Sequence, residues 1–178
     1  MKNFSNLSFF SGKKVLVTGH TGFKGSWLCT WLSYLNANVS GFSDDIPTKP
    51  SNFETSNLKN YINDHRANIQ NLNALQDVVK STQPDIIFHL AAQSLVKESF
   101  VDPVNTWKTN TIGTINLLES VKVLKNPCIV VLITSDKAYQ NNEWVWGYRE
   151  TDLLGGDDPY SASKASADIA IKSYLKSF

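Results

Sequence analysis

A tyrosine and a lysine four residues apart, Tyr160 and Lys164, have a spacing suited to acid–base chemistry in this sequence of 178 residues. Residues at i and i+4 share one face of a helix, so the ammonium group would lie beside the phenol. A neighbouring positive charge favours the phenolate and lowers the pKa of a tyrosine, which makes it a usable proton acceptor near neutral pH. Because the spacing alone often occurs by chance, the rest of the sequence must support this interpretation.

Three glycines give that support, because they stand between a short β-branched run and a helical pattern. Gly19 would allow a tight turn, Gly22 would let backbone approach a pyrophosphate, and Gly25 would let the helix pack closely. The free N–H groups and the positive dipole end of the helix would then bind the phosphates. In this strand–turn–helix context the spacing indicates a dinucleotide-binding loop, with a ligand-free glycine turn as the alternative.

The loop as a whole is predicted to contact the dinucleotide. Its predicted contacts are Gly19, Thr21, Gly22, Phe23, Lys24 at the solvated helix start, and Gly25. His20 either touches phosphate or is an ordinary loop residue. An acidic residue after the second strand would bind the ribose 2′-OH and favour NAD over NADP. Asp44 stands at that position, and no arginine is expected nearby to bind a 2′-phosphate. The alternative is that Asp44 belongs to a plain turn and has no contact with the cofactor.

Strands and helices alternate along the chain. Short apolar runs predict strands at 13–19, 38–43, 66–69, 85–89 and 128–135. Apolar residues at helical spacing predict helices at 23–36, 72–80, within 102–124, and at 159–178, with a long polar and aromatic loop at 140–158. This order indicates a doubly wound, Rossmann-like α/β sheet with parallel strands and right-handed crossovers.

Length and composition exclude several classes of protein. The length indicates one domain, and a net charge of +1 gives no field that would attract nucleic acid or an anionic membrane. The two cysteines form no CxxC pair, so neither a disulfide scaffold nor a zinc ribbon is expected. Residues 1–12 are polar and hold no apolar core of signal-peptide length, and the longest unbroken apolar run, residues 128–133, is too short to span a membrane. We therefore expect a cytoplasmic protein without nucleic-acid, membrane or metal partners, in which His89 caps a strand.

Five motifs together resemble the extended short-chain dehydrogenase/reductase family, whose members modify nucleotide sugars. They are Gly19-x-x-Gly22-x-x-Gly25, His89-Leu90-Ala91-Ala92, Asn110-x-x-Gly113-Thr114, Ser135 and Tyr160-x-x-x-Lys164. Within this family, the segments 20–28, 92–96, 134–139, 143–150 and 154–160 resemble the branch of nucleotide-sugar 4,6-dehydratases that acts on CDP-glucose. That branch supplies deoxysugars for bacterial surface polysaccharides such as the lipopolysaccharide O-antigen.

The resemblance implies a lyase reaction driven by an internal redox cycle with NAD as the cofactor. Tyr160, assisted by Lys164, would take the proton of the sugar 4-hydroxyl while hydride leaves C4, and Ser135 would hydrogen-bond that hydroxyl. The resulting ketone acidifies the C5 proton, water is lost across C5 and C6, and hydride returns to C6. CDP-glucose would become CDP-4-keto-6-deoxyglucose.

The elimination step needs an acid and a base. Asp136 matches the family acid that protonates the leaving C6 hydroxyl. Lys137 stands where related dehydratases place a glutamate. As a base Lys137 must be neutral, which requires burial or a cationic neighbour, and the alternative is that its charge stabilises the enolate. A surface turn without catalytic function is also possible for this pair.

Further contacts are implied by the same resemblance. Asp64 and His65 match the adenine-contacting pair that follows the third strand, although His65 replaces an aliphatic residue. Asn110 is expected to be structural, satisfying backbone groups at a bend. The remaining positions are Leu90, Ala91 and Ala92 at the end of the fourth strand, Thr109 near the nicotinamide ribose, Gln93 and Ser94 on the substrate side, and Trp144, Trp146 and Tyr148, which either line the substrate site or pack within their loop.

Family members are much longer and add a smaller C-terminal domain that binds the substrate. Residues 1–178 would then be an NAD-binding domain with the catalytic residues but without the substrate domain, and the fifth strand would be an unpaired apolar edge. The helices within 102–124 and 159–178 would pair with their copies in a homodimer. A related epimerase or reductase, and an NAD-binding fragment without activity, are the alternative functions.

Overall fold

Five short strands pair side by side in parallel and form the centre of the molecule, in the computed structural model that describes residues 4–178. In chain order they are β1 (Lys14–Thr18), β2 (Asn38–Ser43), β3 (Asn63–Arg66), β4 (Ile86–His89) and β5 (Ile129–Leu132). Their order across the sheet is β3-β2-β1-β4-β5. The order reverses between β1 and β4, which creates a crevice at the carboxyl ends of these strands. The predicted doubly wound, Rossmann-like sheet is confirmed.

Helices cover both faces of the sheet. They are α1 (Phe23–Tyr34), α2 (Asn52–Thr55), α3 (Leu72–Thr82), α4 (Val96–Val101), α5 (Pro103–Trp107), α6 (Gly113–Val121) and α7 (Pro159–Ser177). Short 3-10 helices lie at Phe4–Phe10, Leu58–Asn60 and Asp136–Ala138, and a π-helical turn at Lys108–Ile112 joins α5 to α6. The helix α4, of six residues, was not predicted from the sequence, and α5, the π turn and α6 follow one another where a single helix was predicted.

The third strand lies three residues before its predicted position. The prediction used Ile69 as the apolar signal, but Ile69 follows the strand and packs in the core beside Leu75. The actual strand is polar, and its residues Asn63 to Arg66 pair with Ser40 to Ser43 of β2 at the edge of the sheet. An edge strand is stabilised by its backbone hydrogen bonds to the neighbouring strand and needs no apolar run. The apolar pattern of the sequence therefore did not predict the position of β3.

Two apolar clusters flank the sheet, and β1 contributes to both. Val15 and Val17 face the α1 side, where they pack with Cys29 and Leu32. Leu16 faces the opposite side, in the cluster that includes residues of α3 and α6. Because alternate residues of β1 point to opposite buried faces, its middle residues, Val15 to Val17, are all apolar, as expected for the centre of a parallel sheet.

The other edge of the sheet is β5, which pairs only with β4 within residues 4–178. Two of its apolar side chains, Ile129 and the adjoining Ile133, are 55% and 43% exposed. The predicted unpaired apolar edge is therefore confirmed. Over the same residues, no helix combines the length and the apolar character needed to cross a bilayer.

A glycine in the middle of β2 is required by its neighbour. A Cβ at Gly41 would collide with the imidazole of His20, which is fully buried. We expect Gly41→Ala to lower the free energy of unfolding by about 1–3 kcal/mol, as overpacking a core does. Urea unfolding should show this loss, whereas Gly147→Ala, at an exposed glycine with nothing within 4 Å of the added carbon, should unfold like the parent chain. Equal stability of both variants would contradict the inference that the buried imidazole of His20 requires a glycine at position 41.

His89 ends β4 and is buried between two threonine hydroxyls. Its Nδ1 lies 2.7 Å from Thr18 Oγ1, and its Nε2 lies 3.1 Å from Thr114 Oγ1. These contacts confirm that His89 caps the strand. Burial, together with the nearby charge of Lys164, lowers the pKa of His89 to about 3.

This low pKa gives His89 a defined effect on acid stability. Between pH 6.5 and about 3 the unfolded chain binds a proton at His89 that the folded chain does not, so stability falls as pH falls. The contribution approaches about 1.4 kcal/mol per pH unit. Urea unfolding at several pH values should give a shallower pH slope for His89→Gln than for the parent chain. Identical slopes would show that His89 takes up its proton equally in both states.

Candidate active site

The glycine loop joins β1 to α1 at the point where the strand order reverses. Gly19 has a φ of +74°, and a Cβ there would lie 2.7 Å from the backbone nitrogen of Ala91. Only glycine combines this left-handed conformation with so close an approach. A Cβ at Gly25 would collide with the Gly19 carbonyl, so the helix starts directly against the turn. The roles predicted for these two glycines agree with the geometry.

The start of α1 is free to bind an anion. Gly22 is the N-cap and contributes no side-chain hydrogen bond, and the first turn holds no acidic residue. The first N–H groups of a helix lack intrahelical partners, and the dipole makes this end positive. Phe23 and Lys24 are exposed beside it. Thr21 is buried instead, and its hydroxyl donates to the Asp45 carbonyl at 2.7 Å, which ties the loop to the end of β2.

Asp44 directly follows β2, where the sequence placed it. Its exposed carboxylate accepts a hydrogen bond from Asn68 Nδ2 at 2.7 Å. The expectation that no arginine lies nearby is wrong, because Arg66 Nη1 donates to the Asp44 carbonyl at 3.2 Å. The earlier start of β3 is the reason, since its register pairs Arg66 with Ser43 at the tip of β2.

Asp64 and His65 lie within β3 and not after it. Asp64 Oδ1 accepts from Arg66 Nε at 2.7 Å and is 2.8 Å from His20 Nε2. His20 is fully buried, so it is neither a phosphate contact nor an ordinary loop residue. His65 is half-buried, and its Nε2 has no hydrogen-bond partner in the described part of the chain.

The segment after β4 approaches the glycine loop through backbone contacts. Leu90 N donates to the Thr18 carbonyl at 3.1 Å, and Ala91 N donates to Thr18 Oγ1 at 3.2 Å. Leu90, Ala91 and Ala92 therefore follow β4 and do not form its end. Small side chains at Ala91 and Ala92 keep the crevice open at this point.

Gln93 is a structural residue in this arrangement. Its side-chain amide donates to Thr106 Oγ1 at 2.9 Å and to the Leu95 carbonyl at 3.1 Å, and its carbonyl accepts from Leu95 N at 2.6 Å. These bonds use the amide group that was predicted to face the substrate. Ser94, the other predicted substrate residue in this segment, is exposed.

The π-helical turn holds Thr109 and Asn110. Thr109 Oγ1 accepts from Gln70 Nε2 at 3.0 Å, beyond the end of β3. Asn110 is buried and binds both the N–H and the carbonyl of Gln93, at 2.9 and 3.0 Å. Its Nδ2 also donates to Ser163 Oγ at 2.9 Å, on the helix that carries the tyrosine. The predicted structural role of Asn110 is confirmed.

Tyr160 and Lys164 lie one turn apart at the start of α7, and both are buried. Asp158 caps this helix by accepting from Ser161 N at 2.9 Å, and Pro159 takes the first position, as predicted. Lys164 Nζ donates to the Ile133 carbonyl at 3.4 Å, just after β5. Burial lowers the pKa of Lys164, and the charge of Asp168 offsets this only in part. The buried face of α7 thus meets the carboxyl end of β5.

Ser135 begins the 3-10 turn Asp136–Ala138 directly after that point. Its hydroxyl accepts from Lys137 N at 3.2 Å and donates to Asp136 Oδ1 at 3.1 Å. Asp136 and Lys137 are both exposed. The burial that would favour a neutral Lys137 is therefore absent, and the two roles predicted for this lysine, base and electrostatic stabiliser, stay predictions.

A cavity of about 240 Å³ opens beside the turn. Its lining includes Asp136, Lys137, Tyr139, Tyr148, Asp158 and Ser161. Burial alone would raise the pKa of Asp158, but hydrogen bonds from Ser161 and Tyr160 and the nearby charge of Lys137 hold it below its ordinary value. The cavity therefore carries both signs of charge. A separate apolar patch of exposed side chains, Trp27, Trp31 and Tyr34, lies on the outer face of α1.

The aromatic loop packs largely against itself. Trp144 stacks on Trp146 with ring centroids 5.3 Å apart, and Tyr148 stacks on Tyr139 at 5.4 Å. Trp144 and Tyr148 also touch, at 5.6 Å. Tyr148 lines the cavity, while Trp146 is 58% exposed. Loop packing, one of the two predicted alternatives, accounts for the contacts of both tryptophans.

Sequence reasoning missed the contact between His20 and Asp64, because the two residues are 44 positions apart. One local signal was present. Gly41 interrupts an otherwise ordinary strand, and a glycine there marks a site where another group approaches closely. Ser163 was missed as well. It is fully buried and joins Asn110 to α7, but a serine between Tyr160 and Lys164 has no sequence signature. Among residues 4–178, no three His, Cys, Asp or Glu side chains are grouped so that they could hold a metal ion.

Comparison with known proteins supports the resemblance drawn from the motifs. The sequence profile of the family described as GDP-mannose 4,6 dehydratase matches residues 16–178. The CDP-glucose 4,6-dehydratase of Salmonella typhimurium is 48% identical over 171 residues, covering 96% of this chain and 48% of that protein.

Two solved structures show the same fold. The dTDP-glucose 4,6-dehydratase of Bacillus anthracis, in complex with NAD, has a TM-score of 0.75 at 30% identity and covers 92% of this chain and 52% of its own. The UDP-glucose 4-epimerase of Thermotoga maritima, with UDP-glucose, has a TM-score of 0.79 at 26% identity, with coverage of 92% and 52%. The chain spans about half the length of the curated relatives it matches.

The profile match covers nearly all of the chain, from β1 to the end of α7. The fold match covers 92% of the chain. Sequence and structure therefore agree on one assignment. The chain belongs to the GDP-mannose 4,6 dehydratase family of nucleotide-sugar-modifying, short-chain dehydrogenase/reductase-like proteins.

Proposed function

We propose that this chain is the NAD-binding half, with the catalytic residues, of a lyase that converts CDP-glucose to CDP-4-keto-6-deoxyglucose. The observation that carries the proposal is the meeting of the Tyr160–Lys164 face of α7 with the carboxyl end of β5, at the same edge of the parallel sheet as the glycine-bordered start of α1. The 48% identity to a CDP-glucose 4,6-dehydratase favours this substrate over other nucleotide sugars. The setting proposed is the cytoplasm, and the assembly proposed is a homodimer through the α6 and α7 region.

The glycine loop and the tips of β2 and β3 suit a dinucleotide. Gly19 and Gly25 clear the space where backbone meets backbone, and the start of α1 offers N–H groups to a pyrophosphate. We propose Asp44, exposed directly after β2, as the residue that binds the ribose hydroxyls. When bound, NAD supplies the oxidant that takes hydride from the sugar C4 and returns it to C6. The Bacillus anthracis relative, whose structure contains NAD, supports this cofactor.

The proton steps belong to this chain's own residues. Tyr160 accepts the proton of the 4-hydroxyl, and Ser135 hydrogen-bonds the same oxygen. Lys164 lies one helical turn after Tyr160. Its Nζ donates a hydrogen bond to the Ile133 carbonyl, which fixes the position of the amine. In its charged form Lys164 favours the phenolate of Tyr160, which makes that oxygen able to take the proton of the sugar hydroxyl.

Elimination follows once the 4-ketone has acidified C5–H. The C5 proton leaves to a general base, the C5–C6 double bond forms, and the C6 hydroxyl departs as water after taking a proton from Asp136. When hydride returns to C6, the same base gives a proton back to C5. Asp136 is exposed and hydrogen-bonded by Ser135, so it lies at the edge of the same site. The exposed ammonium of Lys137 stabilises the enolate charge.

A nucleotide-sugar epimerase is the second candidate. The Thermotoga maritima epimerase has the same fold, and such a reaction would use Tyr160, Lys164 and Ser135 in the same way. It would have no need for an acid at Asp136. The acid–lysine pair in the turn after β5 therefore favours the dehydratase.

A chimera tests the assignment directly. We would join residues 1–178 to the C-terminal half of the Salmonella typhimurium CDP-glucose 4,6-dehydratase and measure the absorbance of the 4-keto product in alkali. CDP-glucose should give the signal, and Tyr160→Phe and Asp136→Asn should each lower kcat by about 10²–10⁴-fold, because each removes a group that moves a proton. Tyr34→Phe, on the exposed outer face of α1, should leave it unchanged. Turnover of a UDP- or dTDP-sugar in place of CDP-glucose would contradict the proposed substrate.

The 178-residue chain by itself should behave differently. Its exposed β5 edge and the apolar groups beside it favour association, and we expect weak NAD binding, little turnover of CDP-glucose and a tendency to aggregate. Light scattering and the same absorbance assay measure both properties. Robust turnover by the purified chain alone would refute the assignment of residues 1–178 as an incomplete catalytic unit.

A further inference from the structure

The outer side of α1 carries an aromatic surface that no other element within residues 4–178 covers. Trp27, Trp31 and Tyr34 are 57%, 55% and 83% exposed, and they line one apolar surface together with Thr30. The opposite side of the helix packs in the core against the sheet. An exposed cluster of large aromatic side chains of this kind marks an interaction surface.

These four residues have the spacing of a packing site for another helix. Trp27, Thr30, Trp31 and Tyr34 stand at i, i+3, i+4 and i+7, and four neighbours on one helix face form the hole in knobs-into-holes packing. Thr30 is the small member of the set. Its hydroxyl donates to the Ser26 carbonyl at 2.9 Å, so its polar atom is already satisfied within the helix. The face therefore has a gap between large rings and no polar group that needs water.

The exposed aromatic area is large enough for a specific but weak interface. The three rings leave on the order of 400 Å² uncovered, since one aromatic side chain has about 150–250 Å² to bury. Two such faces in contact would bury roughly 800–1,000 Å², which is the lower end of specific interfaces. The association should therefore depend on concentration in the micromolar range.

The face complements itself when two copies of the helix run antiparallel. With a two-fold axis between positions 30 and 31, Trp27 of one copy faces Tyr34 of the other, and Thr30 faces Trp31. Each central tryptophan then meets the small residue of its partner, and each end pairs two aromatic rings. Such self-complementarity is the requirement for the isologous contact of a C2 dimer.

Charge also favours a second copy of this chain over other partners. Lys24 is the one charged residue of α1, and it lies in the first turn, outside the four. In the antiparallel register it stands opposite position 37, beyond the end of the partner's helix, so no like charges meet. A lipid surface fits less well, because helices that lie on membranes carry many basic residues beside their apolar face.

Further strands beside β5 would not cover this surface. They would extend the sheet from β5, at an edge two strands away from β1. Helices on one face of a sheet lie beside one another in a single layer, so an added helix would flank α1 and leave its outer side open. The helix α6, whose region is proposed for the homodimer, packs on the other face of the sheet.

We propose that the outer face of α1 is a second self-association surface, on which α1 of another copy packs antiparallel about a two-fold axis between Thr30 and Trp31. The inference does not depend on the proposed reaction. Because α1 and α6 lie on opposite faces of the sheet, the new contact and the proposed homodimer contact can form at the same time, and the new contact would join two dimers.

A disulfide across the proposed axis tests the contact in the 178-residue chain. The two copies of position 30 would lie about 1.5 Å apart along the helix axes, which suits a disulfide. Thr30→Cys changes the size of the side chain little. Under mild oxidation it should form a covalent dimer at least about 10-fold faster than the parent chain, because proximity raises the rate. The parent supplies the background, since its Cys29 is buried and its Cys128 is half-buried.

Tyr34→Cys is the matched control on the same face. Its two copies would lie about 10 Å apart along the axes, too far for a direct bond. Mixed with Trp27→Cys, which stands opposite, it should form a disulfide between the two chains. Linking of Thr30→Cys at the background rate would overturn the inference. Self-linking of Tyr34→Cys as fast as that of Thr30→Cys would overturn the antiparallel register.

Sedimentation velocity of the chimera with the Salmonella typhimurium half gives an independent measure. Trp31→Glu should raise the Kd of the concentration-dependent step by about 10-fold or more, as loss of a central interface tryptophan does. Leu153→Glu, which puts the same charge at an apolar side chain 68% exposed in the loop before α7, should associate like the parent.

Three results of these measurements would count against a second copy as the occupant. Equal association of Trp31→Glu and Leu153→Glu would show that the face makes no such contact. A Trp31→Glu chimera that unfolds at lower urea without a change in assembly would show that the added half covers the face. Binding of the parent chain to phosphatidylcholine vesicles, without the Thr30→Cys dimer, would assign the face to a membrane.

Discussion

The close approach of two backbone segments at the reversal of the sheet determines the geometry of this molecule. Gly19 turns out of β1 in a left-handed conformation, directly against the nitrogen of Ala91. Any side chain at Gly19 would push the two strand ends apart. Because the contact is backbone to backbone, the crevice has a fixed floor, and α1 begins at one wall of it with its positive end inward.

The other wall is α7, and buried polar groups connect it to that floor. Asn110 bonds both to the segment after β4 and to Ser163 of α7. Ser163 in turn donates to the Tyr160 carbonyl at 2.7 Å, and Thr111 donates to the Ser163 carbonyl at 3.0 Å. Each of these groups would be costly to bury without a partner, so the network permits one position of the helix and hence of Tyr160 and Lys164.

How well the sequence predicted each element depends on which interactions stabilise that element. β1 and β4 were predicted because burial on both faces demands an apolar run, and the start of α7 was predicted from its proline. β3 was placed wrongly because an edge strand needs only its ladder to β2. Tyr160 with Lys164 is a local spacing and was recognised. The contact between His20 and Asp64 is non-local, and no periodicity or spacing could indicate it.

The proposed site also has a buried part tied to the core and an exposed part held by local contacts. The buried part is the one proposed for the redox step, and the exposed part is the one proposed for the elimination. Tyr160, Lys164 and the strand ends are buried and tied to the core, so the geometry for moving hydride and a proton belongs to the fold itself. Asp136 and Lys137 are exposed, and their positions depend on the hydrogen bonds of one hydroxyl group, that of Ser135, which caps the turn. A short turn of this kind can change its side chains without disturbing the sheet. For the proposed reaction, elimination would need only a change in this turn on a scaffold that the epimerase and the dehydratase relatives share, so such enzymes can have one fold and still differ in the bond that breaks.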